Sequence, residues 1–282
     1  MFLWISIFIC ACQSVEKKSE NQAKSDSNII QAKITSVAKN SDTLQPSKEN
    51  SRNEYILQID SSTIKLPILM YPNSKENLEP ILEAFQEGDT VKIVCYGNSI
   101  TNGYKVGTSG RVANPYPESL EKKLQTHYKN QHIKIINQGH NGWRSGEALA
   151  NVQRLVIAEK PTLVILEFGI NDVYSSLSPA RFEQNMRQLI SQIKASNIRI
   201  LVLLPTPIQT EYESKVQQYA PVLEKITKEE KIAFFDLHSA ILQRLQEEKI
   251  TLTKLLPDNV HLADDYYVWI SDAIFDFLIE KK

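Results

Sequence analysis

Neither sign of charge dominates this 282-residue chain: 32 basic side chains face 33 acidic ones, for a net charge of -1. Nucleic-acid binders concentrate a basic excess on one face, and none is available here. Three cysteines and nine glycines exclude a disulfide scaffold and a collagen-like repeat. No His-Glu-x-x-His pattern, cysteine pair or carboxylate cluster stands at metal-ligand spacing, and no glycine-rich phosphate loop occurs. Neither a metal nor a cofactor is therefore expected. Apolar runs stop short of the roughly 20 residues that a spanning helix needs. What is present is a hydrophobic fraction of 42%, enough for one large domain or two small ones with a substantial core.

Residues 1–11 are almost wholly apolar and end at Ala11-Cys12. That length suits the hydrophobic core of a secretory signal. Ile9-Cys10-Ala11-Cys12 resembles a bacterial lipobox, with a small residue before the cysteine that becomes acylated, although no Lys or Arg precedes the run. Residues 1–12 are expected to be a lipoprotein signal, with lipidated Cys12 holding the protein on the extracytoplasmic side of a membrane in the bacterial envelope. Residues 13–53 are rich in Ser, Asn, Lys, Glu and Gln and hold too few large apolar side chains to offset the entropy of ordering. They read as a disordered tether with an r.m.s. reach of about 30–40 Å. The folded domain is expected over 54–282, with 54–90 as an N-terminal extension.

Within that extension, residues 55–60 and 63–70 flank Ser61-Ser62 and read as a hairpin, Pro67 marking an edge. A short helix is expected over 78–86, stopped by Gly88. Short apolar runs then recur at 91–96, 133–136, 163–168, 198–204 and 232–235, with helical patterns between them. Cys95 falls inside the first and reads as a small buried hydrophobe. A helix opening at Ser178-Pro179 aligns Phe182, Met186, Leu189, Ile190 and Ile193. A last helix over 264–279 aligns Tyr267, Ile270, Ile274, Phe275 and Leu278. Strands and helices alternating in this way predict an α/β domain, doubly wound, with a parallel sheet covered on both faces.

Open parallel sheets bind ligands beyond the carboxyl ends of their strands. Three polar clusters fall there: Gly97-Asn98-Ser99-Ile100-Thr101, Asn137-Gln138-Gly139-His140-Asn141-Gly142, and Gly169-Ile170-Asn171-Asp172. A fourth, Asp258-Asn259-Val260-His261, precedes the last helix. Acyl transfer from an ester needs a nucleophile, a base, a group that orients the base, and donors for the oxyanion. Ser99 is the candidate nucleophile, His261 the base and Asp258 its orienting carboxylate, three residues away. The candidate donors are the backbone N–H of Ser99, the N–H of Gly142 and the side-chain amide of Asn171. A Cβ at position 142 is expected to obstruct close approach of the backbone to substrate.

In this order, the blocks Gly97-Asn98-Ser99-Ile100-Thr101, Gly142, Gly169-Ile170-Asn171-Asp172 and Asp258-Asn259-Val260-His261 resemble the four blocks of the SGNH/GDSL hydrolase superfamily of lipases, acylhydrolases and esterases. The likeness runs from about Val91 to the C-terminus. It implies a flavodoxin-like three-layer α/β/α sandwich, and it matches the superfamily's Ser, Gly, Asn and His to Ser99, Gly142, Asn171 and His261. One position departs: Asn98 stands where the superfamily has an Asp of chiefly structural use. The competing α/β-hydrolase pattern asks for Gly-x-Ser-x-Gly, and Thr101 occupies its last position.

Other residues have plainer readings. His127 and His132 belong to a charged surface, His140 to the structure of the Gly142 loop, and His238 to a helix start capped near Asp236. Tyr104, Trp143 and Tyr174 suit either the pocket wall or the core, and Arg111 and Arg144 suit surface ion pairs. The expected function is a serine esterase acting on O-acyl esters, small acyl groups on a glycan first and a lipid ester such as lysophospholipid second. Transfer of the acyl group to a sugar hydroxyl uses the same acyl-enzyme. A different class is a surface-binding lipoprotein that has lost turnover. The expected partners are the ester substrate and, through Cys12, a membrane; oligomeric state is left open.

Overall fold

The computed structural model describes residues 54–59 and 62–280. The expected signal, Cys12 and the tether lie outside them. Strands β1 (Glu54–Ile59) and β2 (Ser62–Pro67) pair antiparallel, with Tyr55 opposite Leu66 and Leu57 opposite Ile64. Period-two alternation turns Tyr55 and Leu57 inward and leaves Ile56 exposed. Helix α1 (Glu79–Glu87) takes Pro80 in its first turn and ends on Gly88 in the left-handed conformation, as its sequence predicts.

Five strands then form one parallel sheet: β3 (Val91–Gly97), β4 (Ile133–Gly139), β5 (Leu163–Glu167), β6 (Arg199–Leu203) and β7 (Ala233–Phe235). Their order is β4-β3-β5-β6-β7. The chain winds outward from β3 to β4, then crosses back to β5, so the switch point lies between the carboxyl ends of β3 and β5. Val91, Ile93, Val94, Cys95 and the whole of β5 apart from its terminal Glu167 are apolar and fully buried, as strands covered on both faces must be. The free edge of β7 is closed by Ser74, which exchanges both backbone hydrogen bonds with Phe234.

Helix α11 (Tyr267–Ile279) packs against both α3 (Tyr116–Tyr128) and α9 (Leu237–Glu247). Helix α6 (Pro179–Ala195) likewise packs against both α4 (Ser145–Leu155) and α8 (Ala220–Glu230). Two helical layers around one parallel sheet make the three-layer sandwich. Ser178 caps α6 by accepting from the Arg181 N–H, and the five aligned apolar residues of that helix are all buried.

Two expectations are corrected. Phe275 does not share the buried face of α11: it is half-buried, with its ring 5.3 Å from His127, while Phe277 enters the core and stacks on Phe235 at 4.7 Å. Strand β4 does not stop at Ile136, because its pairing with β3 continues through Asn137, Gln138 and Gly139. Gly139 is required there, since a Cβ would come 2.0 Å from the Asn102 nitrogen.

Candidate active site

The backbone leaves β3 at Gly97 and turns directly into the short helix α2 (Ser99–Asn102). Asn98 caps it: its Oδ1 accepts from the Ile100 N–H at 2.8 Å, and its Nδ2 donates to Glu167 Oε1 at 3.3 Å. Asn therefore keeps the capping acceptor that an Asp would offer and adds a donor toward a buried acid. Ser99 heads the helix, in the first turn whose N–H groups lack a carbonyl four residues back. Its side chain is almost covered, at 9% exposure.

Ser99 Oγ lies 2.8 Å from His261 Nε2, and His261 Nδ1 lies 2.8 Å from Asp258 Oδ2. The other carboxylate oxygen of Asp258 accepts from the backbone N–H of Val260 at 3.1 Å and of His261 at 2.7 Å. Burial works against the charge on Asp258, but the His261 ring and these backbone donors hold its pKa below the ordinary carboxylate value. An ionised carboxylate only accepts, so the imidazole proton sits on Nδ1 and Nε2 is left to accept from Ser99. Asn259, between the two, takes a left-handed φ of 70° that lets the turn close. The Tyr104 ring lies 4.6 Å from the His261 ring, and its backbone carbonyl accepts from the Tyr267 hydroxyl.

Across the switch point, Asn171 sits in helix α5 (Ile170–Tyr174) just past β5. Its Nδ2 donates to the Trp143 carbonyl at 3.0 Å, which uses one of two amide hydrogens and ties α5 to the Gly142 loop. That loop is fastened to β3 by His140, whose N–H donates to the Gly97 carbonyl, and to α2 by a bond from Asn102 to Asn141. At Gly142 no protein atom lies within 4 Å of where a Cβ would stand, which leaves that side of the loop open, and its φ of 75° is a conformation that favours glycine. Direct hydrogen bonds thus unite Ser99, His261 and Asp258, and a second set joins Asn171 to the Gly142 loop.

Asp172 had no role in the sequence reading, and the structure supplies one. It is fully buried, and both its oxygens accept from the Ser145 N–H while the Ser145 hydroxyl also donates to it. It fastens the start of α4 beneath the Gly142 loop. Trp143 is half-buried and stacks on His140 at 4.0 Å. Tyr174 stays 39% exposed and meets Tyr212 at 4.8 Å. Arg111 and Arg144 are engaged by Glu118 and Glu147. The helix start at His238 is capped as expected, by Asp236, while His238 itself is buried against Glu213. Among the described residues no group of three or more metal-ligating side chains occurs.

A serine hydroxyl and an imidazole at the switch point of a doubly wound parallel sheet mark a serine ester hydrolase. The chain belongs to the GDSL-like lipase/acylhydrolase family, which it matches over residues 95–267, and so to the SGNH hydrolases. It is 23% identical to an arylesterase of Vibrio mimicus over 67% of this chain and 88% of that one. It is 24% identical to the thioesterase/protease/lysophospholipase of Escherichia coli, over 68% and 85% respectively. In fold it is similar to the crystal structure of an acetylxylan esterase from Geobacillus stearothermophilus, with a TM-score of 0.61, 23% identity, and coverage of 70% of this chain and 97% of that one.

Proposed function

We propose that this protein hydrolyses small O-acyl esters carried on a glycan, through an acyl-enzyme on Ser99. The observation that carries the reading is the unbroken chain from Ser99 Oγ to His261 to Asp258, with both links at 2.8 Å. His261 Nε2 takes the hydroxyl proton as Ser99 attacks the ester carbonyl. Asp258, already ionised, stabilises the imidazolium that results. The oxyanion is met by the N–H groups of Ser99 and Gly142 and by the second amide hydrogen of Asn171. His261 then returns its proton to the departing sugar oxygen, and a water deprotonated by the same nitrogen releases the acid. The exposed or half-buried aromatic rings of Tyr104, Trp143 and Tyr174 around this rim offer stacking faces that suit a sugar. Acetylxylan esterase activity is named for one relative, 25% identical over 178 residues.

The test is hydrolysis of p-nitrophenyl acetate, butyrate and longer esters beside acetylated xylan and lysophospholipid, with Ser99→Ala as control. We expect acetyl esters to be preferred and Ser99→Ala to lose about 10³-fold or more in rate. Equal rates for parent and Ser99→Ala favour a binding protein without turnover, and a preference for lysophospholipid favours a lipid esterase. Envelope attachment through Cys12 belongs to the same proposal, and radiolabelled palmitate that still enters Cys12→Ala defeats that part.

A further inference from the structure

The turn that carries His261 is held from outside by a segment with no chemistry of its own. Leaving β6, the chain runs Pro205-Thr206-Pro207-Ile208-Gln209, buried throughout. Two prolines fix φ at alternate positions and stiffen the segment. At its end two successive backbone N–H groups point to different partners. Ile208 donates to Glu213 Oε2 at 3.0 Å, and Gln209 donates to the Asn259 carbonyl at 2.7 Å. Asn259 is the left-handed residue between Asp258 and His261, so that bond fixes the peptide on which the turn pivots.

The N-terminal hairpin grips this segment at two points. The Gln209 side chain, 6% exposed, donates from Nε2 to the Gln58 carbonyl of β1 at 3.1 Å and to Thr253 Oγ1 at 3.1 Å. Three residues earlier on the same strand, the Tyr55 hydroxyl donates to Glu213 Oε1 at 2.7 Å. Two anchor points of β1 therefore end on residues that orient the 208–209 peptide, and a third, the Glu54 carbonyl, accepts from Gln246 on α9. No other bond to Asn259 is made from outside its own turn among the described residues: its N–H donates to Leu256 within the same loop.

We propose that Gln209 is a positioning residue for His261, and that the docked hairpin is the brace that keeps Gln209 in place. This rests on the reading of Ser99, His261 and Asp258 as the reacting groups. A base that must accept a proton across 2.8 Å tolerates displacements of only about half an ångström, and about 1 Å of misplacement costs on the order of 10²-fold. A segment cross-linked to both the hairpin and the turn supplies that tolerance, which the turn's internal bonds to Asp258 do not, because they move with it.

The experiment compares the full-length protein with Gln209→Ala and Tyr55→Phe, each well below its melting temperature. Two quantities are read: steady-state kinetics on p-nitrophenyl acetate, and hydrogen exchange of the Val260 and His261 amides. Gln209→Ala is expected to lower kcat about tenfold with KM within twofold, and to speed exchange at both amides at least tenfold. Tyr55→Phe moves both in the same direction by less. Ile190→Val, in the opposite helical layer, controls for a general loss of stability and leaves both unchanged. Unchanged exchange at Val260 and His261 in both hairpin-side variants overturns the proposal, as does an equal kcat loss in Ile190→Val. If the parent shows no Ser99-dependent turnover, the active-site reading fails by itself, and the exchange data still decide whether the brace exists.

Discussion

Two imidazole–carboxylate pairs occur among the described residues, each with a hydroxyl in reach, and they are wired in opposite order. At the rim the imidazole is central, with Asp258 on one ring nitrogen and Ser99 on the other. In the interior the carboxylate is central. Glu213 Oε1 receives His238 Nε2 and the Tyr55 hydroxyl, both at 2.7 Å, and Gln217 at 2.9 Å, while Oε2 receives the Ile208 N–H. A central imidazole takes a proton from the hydroxyl on one nitrogen while the carboxylate on the other steadies the charge that forms. A central carboxylate only collects donors, and the phenol held against it is pushed further from ionising, by burial first and by the Glu213 charge second. Exposure separates the pairs again: the Asp258 side chain is 32% exposed and His261 17%, against 0% for Glu213 and 3% for His238. The same three chemical groups make the array we propose as reactive in one order and a buried clamp in the other.

The widest separation comes from removing the two imidazoles in turn. His261→Gln is expected to cost about 10³-fold or more in kcat/KM and to leave the melting temperature nearly unchanged. His238→Gln strands a buried carboxylate, which costs about 3–5 kcal/mol and lowers Tm by roughly 10 °C, with most activity retained below the transition. Calorimetry and p-nitrophenyl acetate turnover read the two effects independently. Loss of activity in His238→Gln without loss of Tm breaks the comparison. The clamp also has a pH window. Burial alone lowers the His238 pKa, but Glu213 outweighs it and holds it above the ordinary imidazole value. Burial likewise raises Glu213, and His238 with the other donors brings it below the ordinary carboxylate value. The pair's stabilisation is therefore complete between the two ordinary values. It fades as pH rises through the His238 pKa or falls through that of Glu213.

How much of this was legible in the sequence follows the range of the contacts. The buried strands could be read because an apolar run bounded by turns is a local signal. Ser99 and Asn171 could be placed because strand ends converge in a doubly wound sheet, whatever the intervening helices do, and His261 because Asp258 stands three residues before it ahead of the last helix. The end of β4 could not, since Asn137 and Gln138 look like loop and are strand only because β3 continues alongside. Phe275 and Phe277 stand about 200° apart on the helix, on opposite flanks of its apolar stripe, and packing on Phe235 decided between them. The hairpin itself was visible from its alternation. Its purpose was not, because Tyr55 meets Glu213 across 158 residues and nothing in either neighbourhood announces the other.

A third carboxyl sharpens the comparison at smaller scale, because it bonds to the neighbour of Ser99 yet is sealed like the clamp. Glu167 is fully buried, its Oε2 has no hydrogen-bond partner, and burial pushes its pKa up to about 7, against the pull of the Asn98 amide. A carboxyl raised in the folded state stabilises most below the ordinary carboxylate value, and the protein gives up roughly 3 kcal/mol as pH climbs from that value to about 7. Asn98→Asp restores the residue usual in the family, keeps the acceptor for the Ile100 N–H, and exchanges the donor facing Glu167 for a second acid. Two carboxyls at that spacing share one proton, so the Glu167 pKa must rise further. The substitution is expected to leave Tm at pH 5 within about 1 °C and to lower it by about 5 °C at pH 8, while turnover at pH 5 to 6 stays close to the parent's. Glu167→Gln added to Asn98→Asp gives back a donor from the other side and should flatten the dependence. If melting curves for parent and Asn98→Asp superimpose from pH 5 to 8, Asn98 is not tuned to the acid beside it, and the capping bond alone accounts for its place.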